Sequence, residues 1–191
     1  KGYGKIKAKL SKRLYKREHV PFMAVAYNPI SKMGIVATGE DCVATMLKLI
    51  DANKSNKKVL MIAHNCGYDY PFLRKHLFGI DEKIKGSGLM NSTAKYYNHT
   101  TKTIMEIEFK CSYKIIPMGL GAFGKCFNMK ISKEVMPYDL YSRENLKKNW
   151  VDIRLAKPHL KSTEEYILFK NNCKKLKLTQ RLDGVLLFDM M

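Results

Sequence analysis

Asn65, Tyr68 and Asp69 fall within the run Ala63-His64-Asn65-Cys66-Gly67-Tyr68-Asp69-Tyr70-Pro71-Phe72-Leu73, directly after the apolar stretch Val59 to Ala63. An amide, a phenol and a carboxylate thus sit between a strand candidate and an amphipathic segment. Strand ends and helix starts converge at one edge of an α/β sheet, which is where a divalent metal or a phosphate-bearing ligand is met. The reading therefore begins with nucleic-acid chemistry, Asp69 being the carboxylate that such an edge would present. Plainer roles exist for each residue: Asp69 as a helix cap, Asn65 in an Asx turn, Tyr68 in a core. His64 and Cys66 are two metal-ligand types side by side, but nothing else at metal spacing follows, so His64 reads as structural.

Charge supports that direction. Thirty-five Lys and Arg against 17 Asp and Glu give a net charge of +18 over 191 residues. Basic side chains that neutralise phosphates release counterions, which gives affinity without base specificity. The amino end concentrates the effect: Lys1, Lys5, Lys7, Lys9, Lys12, Arg13, Lys16 and Arg17 all precede the first acid, Glu18. The interleaved Ile6, Leu10, Leu14 and Tyr15 suggest partial packing of that run.

At 46% hydrophobic, the chain is long enough to bury one full core, and a single α/β domain over residues 1–191 is expected. No stretch approaches the roughly 18 to 20 apolar residues that span a bilayer, so an intracellular protein without a membrane partner is the reading. The cysteines Cys42, Cys66, Cys111, Cys126 and Cys173 are odd in number and form no Cys-x-x-Cys pair, which argues for reduced thiols and no metal site. The apolar ending Leu186-Leu187-Phe188-Asp189-Met190-Met191 reads as a fragment, a processed piece or a truncated gene product.

The elements that must position the site are legible by period. Val20 to Tyr27 is a strand candidate closed by Asn28-Pro29, with Gly34 to Thr38 as its hairpin partner. Val43, Met46, Leu47 and Ile50 recur at i, i+3, i+4 and i+7, giving a helix over Glu40 to Asp51. Val59 to Ala63 is wholly apolar and reads as a strand buried on both faces. A helix from Tyr70 to Leu77 follows, then strands near Ile84–Met90, Ala94–Asn98, Ile104–Lys110 and Ser112–Ile116. A short helix is expected around Leu120, Phe123 and Phe127. Ser142 and Ser162 read as N-caps, the latter with Glu165 at capping-box spacing ahead of the face Tyr166, Phe169, Cys173 and Leu176.

Four segments taken in order, His19-Val20-Pro21-Phe22, Gly39-Glu40-Asp41-Cys42-Val43, the Asn65 to Leu73 run and Lys133-Glu134-Val135-Met136-Pro137-Tyr138-Asp139-Leu140-Tyr141, resemble the protein-primed family B DNA polymerases of linear plasmids, adenovirus-like viruses and Maverick/Polinton elements. The resemblance covers the 3′-5′ exonuclease region. It implies a ribonuclease-H-like α/β fold, a mixed central sheet flanked by helices, with no polymerase palm or thumb. It also implies two Mg²⁺ ions about 4 Å apart held by four carboxylates, since only converging acids hold two such cations. Of those four, only Asp69 is present. The Asp-x-Glu pair expected about ten residues before His19 falls at Lys9 and Ser11 or their neighbours, and no Asp or Glu lies between Lys1 and Arg17. Tyr166-Ile167-Leu168-Phe169-Lys170 carries Lys where the late motif has Asp.

The strand-binding residues of the resemblance survive better: Asn65 and Tyr68 at the 3′ end, with Ser112 and Tyr113 matching its Ser/Thr-Leu motif. With Lys7, Lys9, Lys12, Arg13, Lys16 and Arg17 they form the expected nucleic-acid contact set, for single-stranded DNA or RNA. The expectation is an exonuclease-region piece of a polymerase that is catalytically inactive as this chain and holds no cofactor of its own. The alternative is a pseudo-exonuclease acting as a basic RNA- or DNA-binding, or structural, subunit of a large ribonucleoprotein assembly with other protein chains. The compartment, whether nucleus, organelle or viral replication site, is left open.

Overall fold

Alternating small and large apolar residues make Met23–Asn28 (β1) and Met33–Thr38 (β2) an antiparallel hairpin with Val25 opposite Val36. In the computed structural model residues 19–54, 57–85, 88–128, 135–182 and 184–190 are described. The chain divides into two compact units, residues 1–117 and 118–191.

In the first unit the expected helix forms over Cys42–Asn53 (α1), with Val43, Met46 and Leu47 buried on the face that the 3.6 period marks out. It packs on β1, β2 and a four-stranded sheet built from Lys58–Ala63 (β3), Phe78–Lys85 (β4), Gly88–Asn98 (β5) and Thr103–Cys111 (β6). The order is β3-β6-β5-β4, with β3 parallel to β6 and the other pairs antiparallel. Met105, Ile107, Phe109 and Tyr96 carry its core face, and Ala24, Ala26, Val59 and Met61 join the same cluster. A helix over Tyr70–Arg74 (α2) follows β3 and ends earlier than expected. The unit is a mixed α/β layer with a mixed sheet, as the sequence indicates.

Three expectations are corrected here. β3 is an edge strand of its sheet among the described residues, and its wholly apolar sequence alternates in burial: Leu60 and Ile62 are 51% and 61% exposed. The Ser112–Ile116 strand is a single 3-10 turn, Ser112–Lys114, because the chain bends away as soon as β6 loses its partner at Ala63. The expected Ile84–Met90 strand straddles the junction of β4 and β5, whose pairing brackets residues 86 and 87.

The second unit begins with a helix over Leu120–Cys126 (α3). Ser142 accepts a hydrogen bond from the Asn145 amide but heads only a 3-10 turn. Ser162 caps Thr163–Lys175 (α4): its Oγ accepts from the Glu165 amide at 3.2 Å, while the Glu165 carboxylate accepts from the Lys161 amide at 2.9 Å. Phe169 and Cys173 of α4 are buried with Leu140, Ile153 and Phe188. Three strands not foreseen from sequence, Trp150–Asp152 (β7), Thr179–Leu182 (β8) and Val185–Asp189 (β9), form an antiparallel sheet in the order β7-β9-β8. Their core explains the apolar ending, since Phe188 and Met190 are 3% and 2% exposed.

Candidate nucleic-acid interface

Parallel pairing brings the ends of β3 and β6 to the same edge of the sheet, with Ala63 opposite Cys111. The residues that follow each strand therefore meet. Ser112 Oγ lies 3.3 Å from the Ala63 carbonyl and shares a hydrogen bond of 3.1 Å with His64 Nδ1. The His64 ring also meets Tyr113 edge-on, centroids 5.5 Å apart. His64 is half-buried and structural, as the sequence suggests, but it does more than fill space: it fastens the Ser112-Tyr113 segment to the loop that carries Asn65, Tyr68 and Asp69.

That loop is held in a defined shape. Asn65 takes a left-handed φ of 51°, a conformation Asn tolerates better than most residues, and its exposed side chain makes no hydrogen bond among the described residues, so it forms no Asx turn. Cys66 is fully buried beneath it, its carbonyl accepts from the Tyr70 amide at 2.8 Å, and burial pushes its thiol up to about 12. Tyr68 is 58% exposed, so it is no core residue; its ring meets Phe72 edge-on at 5.6 Å and its hydroxyl lies 2.8 Å from His19 Nδ1.

Asp69 occupies the N-cap position of α2, where Pro71 fixes the first turn, yet its carboxylate makes no cap bond and no other hydrogen bond or ion pair among the described residues. The cap role is thus unfilled. Desolvation raises its pKa above the ordinary carboxylate value. Two other acids of this unit are committed. Glu82 accepts from Arg74 Nε at 2.8 Å and from the Tyr70 hydroxyl at 2.9 Å, and these bonds lower its pKa. Glu108 sits between Lys110 and Lys58, each at 2.8 Å, which brings its pKa down to about 2.

The site residues placed by the structure are therefore Asn65, Tyr68, Asp69, Ser112 and Tyr113, the last half-buried against the core. Lys7, Lys9, Lys12, Arg13, Lys16 and Arg17, with Ser11, lie outside the described residues. Two contacts were not foreseen, His64 to Ser112 and His19 to Tyr68, because they join positions 48 and 49 residues apart. Among the described residues Asp69 has no hydrogen bond or ion pair to a second acid, and no three His, Cys, Asp or Glu side chains are grouped to hold a metal.

An uncommitted carboxylate, an exposed aromatic ring and a free amide thus stand together at one edge of the mixed sheet of the first unit. The particular family follows from comparison. Residues 50–182, more than half of the chain, match the model described as DNA polymerase type B, organellar and viral, and the chain belongs to that family. The match takes in the whole loop and Ser112-Tyr113. No curated protein and no solved structure matches the chain. Among the described residues, no helix is long and apolar enough to cross a membrane.

Proposed function

We propose that the chain is the exonuclease region of a type B DNA polymerase, that its sheet is of the ribonuclease-H-like kind, and that it grips a single strand of nucleic acid without cutting it. The observation that carries this reading is the loop after β3: Asn65, Tyr68 and Asp69 stand exposed on a rigid turn that His64 fastens to Ser112 and Tyr113. A base stacked on Tyr68 contributes roughly 1 to 3 kcal/mol with little regard to its identity. The net charge of +18 supplies backbone affinity.

Loss of cutting rests on the acids. One carboxylate cannot hold two hard cations, and the segment from Lys1 to Arg17 offers lysines and arginines in place of a first-strand pair. Swapping metal ligands for cations turns a scission site into a phosphate grip, which also suits a non-catalytic binding subunit of a ribonucleoprotein assembly. That second reading is favoured by the size of the net charge, which RNA would satisfy equally.

The test uses one 5′-labelled oligonucleotide, as DNA and as RNA. Binding at low salt that weakens steeply as salt rises, with no shortening of the strand in Mg²⁺, is the expected result. Mg²⁺-dependent shortening would overturn the loss of cutting, and absence of salt-sensitive affinity would overturn the grip. Preference for RNA over DNA of the same sequence would select the assembly reading.

A further inference from the structure

The contact between His19 and Tyr68 joins positions 49 residues apart, and nothing in the proposed function uses it. His19 precedes β1 by four residues and is exposed, as is Tyr68. The two share a hydrogen bond of 2.8 Å between the tyrosine hydroxyl and Nδ1, and their rings cross at 89° with centroids 5.5 Å apart. The segment that carries His19 is not a loose end. Pro21 confines Val20 to extended backbone, and the Phe22 carbonyl accepts from the Gly39 amide at 2.8 Å, which ties the start of the β1-β2 hairpin to its exit.

An exposed tyrosine on a loop ordinarily samples several rotamers, and ordering such a side chain on binding costs about two- to tenfold in affinity. Here that ordering is done beforehand. The hydroxyl lies in the plane of the ring, so a partner bonded to it constrains the ring from its rim, and with Phe72 at 72° to it Tyr68 remains 58% exposed. We propose that His19 is a positioning residue that pre-orders Tyr68 for stacking on the terminal base of a bound single strand. This inference rests on the binding reading above and adds a residue and a segment to it. The segment before β1 thereby acts on the site from outside the residues matched by the family model, 50–182.

The experiment uses the full chain and a single-stranded DNA with 2-aminopurine as its 3′ base, whose fluorescence is quenched by stacking. His19→Ala is expected to weaken binding about two- to tenfold and to reduce quenching at saturation, with the salt dependence unchanged because no phosphate contact is removed. His19→Asn, which keeps a hydrogen-bonding side chain there, should restore part of both. In a Tyr68→Phe background, which keeps the ring and removes the hydroxyl, His19→Ala should add little. Unchanged quenching in His19→Ala, or an equal loss in the Tyr68→Phe background, would overturn the positioning role. Failure of the binding reading is distinguishable: there, Tyr68→Ala would leave quenching and affinity at the wild-type level.

Discussion

Removing the Asp51 carboxylate should loosen the first unit by several kcal/mol, and the expected size follows from the donors it serves. Asp51, 5% exposed, closes the carboxyl end of α1. Its Oδ2 accepts from Asn98 Nδ2 at 2.8 Å, from Thr103 Oγ1 at 3.0 Å and from Thr101 Oγ1 at 3.3 Å, while Oδ1 pairs with the Lys54 ammonium. These bonds join the helix to the turn between β5 and β6, and so help fix the strand that delivers Ser112. In Asp51→Ala the two threonine hydroxyls, on exposed residues, can turn to water, and Lys54 can swing out. The Asn98 amide, 3% exposed, is left buried and unpaired. An orphaned buried donor costs about 1 to 3 kcal/mol, and loss of charge-assisted bonds adds to it, so about 3 kcal/mol is expected. Asp51→Asn keeps an oxygen for the three neutral donors and should cost about 1 kcal/mol. For a chain this size those values correspond to about 6–12 °C and 2–4 °C in Tm.

The acid arm of the same experiment carries a sign. Burial works against ionisation of Asp51, but the bonds from Lys54, Asn98 and Thr103 outweigh it and hold the pKa below the ordinary value. A depressed carboxylate contributes stability above its unfolded pKa of about 3.9 and loses it as pH falls through the folded value. The stability gap between wild type and Asp51→Asn, measured by urea unfolding, should therefore be constant from neutral pH down to about 4 and shrink below it. A gap that does not change with pH, or an Asp51→Ala variant within 0.5 kcal/mol of wild type, would refute the reasoning.

Further outcomes follow from the site and its supports. Ser112→Ala removes the hydroxyl bonded to His64 Nδ1 while leaving the core intact, so single-strand affinity should fall about two- to tenfold by losing a pre-ordered segment, with Tm shifted by no more than about 2 to 4 °C. Replacing Lys7, Lys9, Lys12, Arg13, Lys16 and Arg17 by Gln should flatten the slope of log affinity against log salt by about 0.7 for each residue that contacts a phosphate on a single strand, which a binding titration between low and moderate salt reads directly. Ser162→Ala should destabilise the second unit by about 1 kcal/mol through loss of the bond to the Glu165 amide, measurable by thermal unfolding followed by circular dichroism.

Which features could be read from sequence depended on how local their causes are. The burial face of α1 follows from the period of Val43, Met46, Leu47 and Ile50, because one helix decides it alone. β3 misled because an apolar run reports what a strand can bury and says nothing of what lies beside it; Leu60 and Ile62 are exposed since no described strand pairs with that edge. β7 and β8, three and four residues long, carry too short a pattern to announce themselves and are defined by their common neighbour β9. The same divide runs through the site. Asn65, Tyr68 and Asp69 are neighbours in one loop, so their shared location is written in their spacing. Ser112 reaches them only because β3 and β6 run parallel and in register, which places the residues after Ala63 and Cys111 side by side. A slip of one residue would turn alternate side chains of β3 to the opposite face and move Ser112 away from His64. The register itself is fixed by Val59, Met61 and Ala63 facing the core, so the packing of the sheet and the geometry of the proposed grip are set by the same residues.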